Sequence, residues 1–393
     1  MFQQDSASVR SVFMHKKEQQ LWRIVSFGGL LSLLGIILGC AGISRTAESR
    51  EPLVLARTFV LPGVTNTRTN VGVPGRIDHM AYDPLTERLF IAALENSSME
   101  VLDLNTGRRL RSISGILHAQ GAACVSNTSV VAISSGEDGL LHIFDTRTLD
   151  EKRTIEIGTD ADNVRYDAVN NTILVTYGTT NAGAIAILDA GTWTRLRTLQ
   201  FTSRPESFQL DPYGKWLFAN LPRGVKAVID GDVAIMDRET GHVEAVIPLP
   251  GRARNFPMAY DSTHGRLFIA CRRPARLIEI DVRTLATVAD VPCTDDSDDL
   301  FYDPLTSQVM VIGGGFRPDL QTSESVSPCS PPGEMGGVDV FSVASNGALT
   351  RKITIPTFYH VRTGLFVPTR RALYLAVPLH GKSPPEIREY LLQ

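Results

Sequence analysis

The stretch Gly75–Asp103, GRIDHMAYDPLTERLFIAALENSSMEVLD, contains three short apolar runs separated by polar turns. The first run ends in Tyr82-Asp83-Pro84, the second contains Leu89-Phe90-Ile91, and the third ends in Val101-Leu102-Asp103. Alternating apolar residues bounded by Asp, Pro and Asn are typical of strands that end in tight turns. The stretch therefore predicts three antiparallel β-strands joined by hairpins.

Both markers in this stretch recur along the chain. The apolar pair followed by Asp returns at Asp145, Asp189, Asp237 and Asp281, and in a weaker form at Ser342. Counted from Asp103, the intervals are 42, 44, 48, 44 and 61 residues. The turn marker returns at Asp167, Asp211, Asp261 and Asp303. Each interval thus supplies four short strands, and a repeat of roughly 40–50 residues with four strands is the blade of a β-propeller.

The second strand of the repeat occurs seven times. Its copies are Leu89–Ile91, Val130–Ala132, Ile173–Val175, Trp216–Phe218, Leu267–Ile269, Val309–Val311 and Leu373–Leu375. The last repeat has only three strands, ending with Ile387–Leu392, while a spare apolar run, Pro52–Leu61, lies at the other end. Pairing these two segments would close the ring and remove a sheet edge. We therefore predict an all-β, seven-bladed β-propeller over residues 52–393, closed by its N-terminal strand.

Composition narrows the class of protein. The 393 residues include 39 Lys+Arg and 42 Asp+Glu, a net charge of −3, which argues against an electrostatic nucleic-acid binder. With 43% hydrophobic and 21% charged residues the chain is not largely disordered. Five Cys are too few for a disulfide scaffold. A pairing of Cys293 with Cys329 stays open, because sequence alone does not settle it.

The repeats also carry a family resemblance. The runs GRIDHMAYD, DADNVRYD, RPESFQLD, RNFPMAYD and DDLFYDP, together with VLDLNTGRRL, resemble those of bacterial YVTN-type propeller proteins. The resemblance extends over nearly all of the chain beyond residue 51. It implies a seven-bladed, exported propeller. That family has no single activity, so the resemblance implies architecture rather than chemistry.

The N-terminal segment predicts export. Residues 24–43 are apolar and uncharged, follow Lys16, Lys17 and Arg23, and contain Ile37-Leu38-Gly39-Cys40, which resembles the lipobox of bacterial lipoproteins. The resemblance implies that Cys40 is lipidated and becomes the mature N-terminus, after a signal segment at 1–40 and before a tether at 41–51. The propeller would then lie on the periplasmic side of a membrane, the outer one in preference to the inner. A plain signal-anchor is the alternative, and Met14 is an alternative start to Met1.

Polar residues recur where the first strand of each blade begins, at one mouth of the predicted channel. The aligned positions hold Asp78, Gln120, Asp162, Glu206, Phe256, Asp298 and Thr363. Their neighbours include His79, Asn163, Asn255, Asp299, Arg254 and Arg362. Polar groups in a concavity are the default hypothesis for a binding site, so we predict a ligand site from these residues, apart from Phe256 and Thr363. The alternative is that they only solvate a water-filled mouth.

A metal ion is one interpretation of this ring. The four carboxylates Asp78, Asp162, Glu206 and Asp298 would repel one another unless cations or arginines offset them. Oxygen ligands suit a divalent cation such as Ca²⁺, whereas His79 with carboxylates would suit a transition metal. Propeller lactonases are similar in using channel carboxylates and amides around a divalent ion, although many have six blades and their motifs do not match here.

Two function classes follow from these observations. The first is a monomeric, lipid-anchored propeller whose channel face binds a small ligand or a protein partner, without catalysis. The second is a metal-dependent hydrolase of lactones or related esters at the channel mouth. Two inserts, Leu221–Gly231 and Gly313–Gly337, are predicted to lie at the same face, where they could cover the mouth or simply extend from it.

Overall fold

The structure is a computed structural model that describes residues 51–65, 73–223, 230–316 and 335–393. Seven four-stranded antiparallel sheets form the ring of a β-propeller. The predicted signal segment with Cys40, the tether up to residue 50, Cys329, and most of both inserts lie outside the described residues. Within the described ranges, no helix is both long and apolar enough to cross a bilayer.

The described residues form twenty-eight strands, which are numbered along the chain from β1 (Leu53–Val60). Blades one to three contain β2 (Met80–Asp83), β3 (Arg88–Ala93), β4 (Ser98–Asp103), β5 (Arg108–Ser114), β6 (Ala119–Val125), β7 (Val130–Ser135), β8 (Leu140–Asp145), β9 (Glu151–Glu156), β10 (Val164–Asp167), β11 (Thr172–Thr179), β12 (Ala182–Asp189) and β13 (Arg195–Phe201). Blades four and five contain β14 (Phe208–Leu210), β15 (Trp216–Leu221), β16 (Asp232–Asp237), β17 (Val243–Pro248), β18 (Ala253–Asp261), β19 (Arg266–Arg273), β20 (Ala275–Asp281) and β21 (Ala286–Pro292). Blades six and seven contain β22 (Ser297–Asp303), β23 (Gln308–Gly313), β24 (Gly337–Val343), β25 (Leu349–Pro356), β26 (Gly364–Val367), a 3₁₀ turn (Pro368–Arg370), β27 (Ala372–Val377) and β28 (Glu386–Leu392).

The seventh blade joins the two ends of the described chain. Its sheet order is β1-β28-β27-β26, with Leu53 opposite Leu392 and Val60 opposite Glu386. Leu53 and Phe59 are buried on this strand, and the guanidinium of Arg57 binds the carboxylate of Glu389 on β28. The predicted seven-bladed fold with closure by the N-terminal strand is confirmed.

The recurring Asp residues are turn-forming groups. Asp103 Oδ1 accepts hydrogen bonds from the backbone N–H groups of Asn105 and Thr106, and Asp189 Oδ1 does the same for Gly191 and Thr192. Such Asx-type turns satisfy backbone donors that the strand ladder leaves unpaired. Backbone hydrogen bonds lower the pKa of both carboxyls. The repeat seen in the sequence is therefore a repeat of turn chemistry.

The apolar core lies between neighbouring blades. Leu89, Ile91 and Tyr374 are fully buried in one cluster that joins the first and seventh blades. Aromatic pairs bridge other blade boundaries, with ring centroids 4.8 Å apart for Phe218 and Tyr260. Each blade therefore buries its faces against its neighbours, and the innermost strands are left to line the channel.

Hydrogen bonds tie the beginnings of the innermost strands together around the ring. The backbone N–H of His79 donates to the Gln120 carbonyl at 3.1 Å, and that of Asp299 donates to the Arg362 carbonyl at 3.0 Å. Thr363 Oγ1 donates to the Ile77 carbonyl at 3.0 Å across the closure. These contacts fix the residues just before each innermost strand around one mouth of the channel.

Candidate functional site

All seven blades contribute side chains to one polar cavity at the channel mouth, with a volume of about 200 Å³. Nearly every lining residue is charged or carries an amide, imidazole or hydroxyl group, Phe256 being the exception. The lining comprises Arg76, Asp78, His79, His118, Gln120, Asp160, Asp162, Asn163, Arg204, Glu206, Ser207, Arg254, Phe256, Arg272, Asp298 and Arg362. The structure thus brings the predicted residues together at this mouth, apart from Asn255 and Asp299.

Those two side chains point elsewhere. Asn255 is fully buried beside β16, where its Nδ2 donates to the Asp232 carbonyl at 2.9 Å and to Asn220 Oδ1 at 3.2 Å. Asp299 lines the deeper channel, and its Oδ2 accepts a hydrogen bond from the Gly364 backbone at 2.9 Å. Their side chains alternate away from the mouth because successive residues of a strand face opposite sides.

The aligned ring needs a correction in the seventh blade. Arg362, not Thr363, lines the cavity there. The Thr363 carbonyl accepts from Ala376 N–H, as the His79 carbonyl accepts from Ala92 N–H, so Thr363 is equivalent to His79. The position that holds Asp78 in the first blade therefore holds Arg362 in the seventh, and an arginine replaces the predicted hydroxyl.

Arginines neutralise one half of the mouth. Asp298 is contacted by Arg272 Nη2 at 2.6 Å, by Arg362 Nε at 3.0 Å and by Arg76 Nη2 at 3.8 Å. Arg272 and Arg362 also contact Asp296, at 3.3 and 2.9 Å. Burial opposes the charged carboxylates, but the arginines outweigh it and lower the pKa of both Asp296 and Asp298. In this half, the repulsion expected between carboxylates is offset by the protein itself.

Arg272 is a mouth residue that the alignment of the repeats in the sequence did not reveal. It lies on β19, the second strand of its blade, stacks on the Phe256 ring at 4.1 Å, and donates from Nε to the Ser297 carbonyl at 2.8 Å. Register places Leu94, Gly136, Gly178, Pro222, Gly314 and Pro378 at the corresponding position of the other blades. A charged residue where the other copies are apolar or glycine is the signal that could have revealed it.

The opposite half is richer in carboxylate. Arg204 binds Asp160 and Glu206, and its Nη2 lies 3.9 Å from Asp162 Oδ2. Asp162 is 5% exposed, and its Oδ1 has no hydrogen-bond partner among the described residues. Burial, followed by the charges of Glu206 and Asp78, raises the pKa of Asp162 well above its ordinary value.

Within the part of the chain that the structure describes, three side chains of this half form a compact cluster of ligating groups. One ligating atom each from Asp78, His79 and Asp162 lies within 4.8 Å of the others. His79 Nδ1 is 3.4 Å from Asp299 Oδ2. Burial disfavours the imidazolium, but Asp299, then Asp78 and Asp162, outweigh it and raise the pKa of His79 to about 10. A metal ion bound to His79 would have to displace this proton, because only the neutral imidazole is a ligand.

His79 and Ser207 separate this mouth from a second space farther along the channel. That space has a volume of about 500 Å³ and is lined mainly by the innermost strands, including Met80, Cys124 and Met258. The channel is therefore polar at the mouth and more apolar beyond the His79 level.

Comparisons with known proteins support the fold. No protein-family profile matches the chain, and no curated protein matches it in sequence. A structure described as the mitotic checkpoint complex has a TM-score of 0.65 at 15% identity, covering 92% of this chain and 99% of that chain. The hydrazine synthase of Kuenenia stuttgartiensis has a TM-score of 0.66 at 16% identity, covering 80% and 95%. At these identities the similarity concerns the propeller fold alone.

Proposed function

We propose that this protein is a binding platform whose channel mouth holds a small, strongly polar ligand. The observation that carries the proposal is the convergence of all seven blades on one polar cavity of about 200 Å³. A cavity of this size admits a small molecule but not a folded protein. Its charged groups are fixed by one another, as at Arg204 and Asp160, so a ligand meets a preorganised set of donors and acceptors.

Melting temperature with a panel of small polar molecules tests this proposal. The panel is citrate, glutamate, gluconate and inorganic phosphate, added to the chain from residue 51 onward. A ligand at 100 times its dissociation constant stabilises the native state by about 2.7 kcal/mol. We therefore expect at least one of the four compounds to raise the melting temperature by on the order of 5 °C. If all four leave the melting temperature unchanged, the small-ligand proposal fails and a protein partner becomes the alternative.

A matched pair of variants locates the binding. Ser207→Leu adds apolar volume to the mouth cavity, whereas Ser126→Leu makes the same change at the opposite, exposed end of the channel. We expect the first variant to lose the ligand-induced rise and the second to keep it. Equal responses in both variants would place the ligand outside the mouth.

A metal-dependent hydrolase is the second candidate function. The observation that favours it is the cluster of Asp78, His79 and Asp162, because an ion held there would face the cavity and could polarise a carbonyl. The similar structures include both an enzyme, hydrazine synthase, and a checkpoint assembly, so the fold accommodates catalysis and protein binding alike. Lactone or ester turnover that depends on added metal would support this candidate over simple binding.

Export and lipid anchoring at Cys40 remain part of the proposal. The lipobox-like sequence supports them, and Cys40 is the residue that would carry the thioether-linked lipid. In a bacterial host, Cys40→Ser should leave an uncleaved or soluble protein, measured by membrane fractionation and mature mass. A variant that stays membrane-bound at the parent's mature mass would favour a signal-anchor.

A further inference from the structure

We propose that Asp78, His79 and Asp162 bind one divalent transition-metal ion at the floor of the mouth cavity. The inference shares that cavity with the proposed ligand site, but it requires no small-molecule ligand. It keeps Asp78 and Asp162 from the four-carboxylate ring expected from the sequence, has His79 in place of Glu206 and Asp298, and develops the transition-metal interpretation in preference to Ca²⁺.

The geometry of the cluster is compact. Ligating atoms from the three residues lie within 4.8 Å of one another, and Asp78 and Asp162 are 4% and 5% exposed. The residues come from two blades, the first and the third, and each carboxylate has one arginine nearby: Arg76 Nη2 is 3.3 Å from Asp78 Oδ1, and Arg204 Nη2 is 3.9 Å from Asp162 Oδ2. Ligand atoms about 2 Å from a common ion are separated by distances of this order. Small side-chain adjustments would close the site.

An independent group at the same place also lacks a partner. Asn163 lines the cavity, is 3% exposed, and its buried Oδ1 has no hydrogen-bond partner among the described residues. A buried amide oxygen without a donor costs free energy unless a bound species satisfies it. Together with the unpartnered Asp162 Oδ1, the lining of this cavity has two buried oxygen acceptors that a cation could satisfy.

A second carboxylate orients the imidazole. His79 Nδ1 faces Asp299 Oδ2 at 3.4 Å, and the Gly364 backbone N–H holds the same oxygen at 2.9 Å. Carboxylate–histidine pairs of this kind fix the ring of a metal-bound histidine and make its other nitrogen more basic. With Nδ1 turned to Asp299, Nε2 is the nitrogen left for a metal. This role accounts for Asp299, which does not line the mouth.

The donor set selects the class of metal. One imidazole nitrogen with carboxylate and amide oxygens suits Zn²⁺, Mn²⁺ or Fe²⁺ better than Ca²⁺, which takes six to eight oxygen ligands. Asp298 is the carboxylate least suited to a cation, because Arg272 and Arg362 both contact it within 3.0 Å. Asp78 and Asp162 each have one arginine contact, at 3.3 and 3.9 Å, so we expect the metal on their side of the mouth.

Binding of Mn²⁺, Zn²⁺ and Ca²⁺ to the metal-free chain, measured by isothermal titration calorimetry, tests the inference. We expect one Mn²⁺ or Zn²⁺ per chain and much weaker Ca²⁺ binding. His79→Gln and Asp162→Asn should each weaken binding by at least about 10- to 100-fold, the usual effect of losing even an outer partner of a metal site. Asp299→Asn should weaken metal binding by a factor in that same range.

Asp138→Asn is the comparison variant. It makes the same charge change at an exposed residue that lies outside both the cluster and the cavity lining. Asn can still accept the hydrogen bond that Asp138 Oδ1 accepts from the Leu140 backbone N–H at 3.2 Å. Its metal affinity should stay close to that of the parent. If Asp138→Asn weakens binding as much as Asp162→Asn, the effect is general acidity and the assigned site is wrong.

A spectroscopic measurement on the parent removes dependence on the folding of variants. Pulsed electron paramagnetic resonance of bound Mn²⁺ should show coupling to one imidazole ¹⁴N. Absence of that coupling, or absence of Mn²⁺ and Zn²⁺ binding, overturns the inference. Metal binding without any response to the small-molecule panel supports the metal site and contradicts the proposed small-ligand function. A response to the panel without metal binding supports the small-ligand function and contradicts the metal site.

Discussion

A chain that begins at residue 62, and so lacks β1, is expected to lose soluble, cooperatively unfolding protein. β1 buries Leu53 and Phe59, and the following Leu61 is fully buried. Each such side chain contributes about 1.5–3 kcal/mol by burial, and the strand also supplies the Arg57–Glu389 ion pair. Their sum is comparable with the entire stability of a typical domain, about 5–15 kcal/mol.

The loss has a second component, because deletion exposes the edge of β28. The backbone groups of Glu386–Leu392 that pair with β1 would be unpaired, and an open edge promotes association of chains. Soluble yield, calorimetric unfolding and light scattering should be compared with a chain that begins at residue 51. Unfolding at the same temperature and with the same cooperativity in both chains would contradict closure by β1.

The propeller could be predicted because its markers are local. Asp103 and Asp189 each organise a turn through backbone hydrogen bonds within three residues, so the same short sequence can recur without knowledge of distant contacts. The closing strand was predictable by a different route, since one strand was missing at the C-terminus and one was spare at the N-terminus.

The mouth was predictable only in part. Asp78 and Asp162 could be aligned because each precedes an innermost strand at the same offset, but the seventh blade was aligned one residue late, at Thr363 instead of Arg362. A shift of one residue turns a strand's side chains to the other side. Arg272 was missed because it lies on a second strand, and only the first strands of the blades were aligned for the mouth.

A buried arginine of the mouth, Arg272, is expected to give the second large effect on stability. Arg272→Leu should destabilise the fold by about 3–5 kcal/mol, the usual cost of leaving a buried charge without its partner. Arg272 is 7% exposed by its side chain and contacts both Asp296 and Asp298. Without its guanidinium, two close carboxylates would share Arg362 as their main cation.

Arg283→Leu is the matched control, because Arg283 belongs to the same blade and pairs with Asp281 while its side chain is 45% exposed. An exposed pair contributes about 0–1 kcal/mol, so the control should unfold almost as the parent does. Chemical denaturation at pH 7 measures both differences. A loss below about 1 kcal/mol in Arg272→Leu would mean that water or Arg362 already neutralises the carboxylates.

The pH dependence of the stability difference between the parent and Arg272→Leu tests whether that difference is electrostatic in origin. The pKa of Asp296 is lowered in the folded parent, so its contribution is present above the unfolded pKa of about 3.8 and is lost as pH falls through the lower folded value. Removing Arg272 should raise the pKa of Asp296 in the folded protein, so that its stabilising contribution is lost at a higher pH than in the parent. Protonation of Asp296 at low pH also relieves its repulsion with Asp298 in the variant. The difference in the free energy of unfolding between parent and Arg272→Leu should therefore be widest near pH 7 and narrow towards pH 3.

A double variant gives a second test of the same origin. Adding Asp296→Asn to Arg272→Leu should recover part of the stability at pH 7, since it removes one uncompensated carboxylate. If the difference in the free energy of unfolding is constant with pH and is unaffected by Asp296→Asn, Arg272 stabilises the mouth by packing on Phe256 and not by its charge.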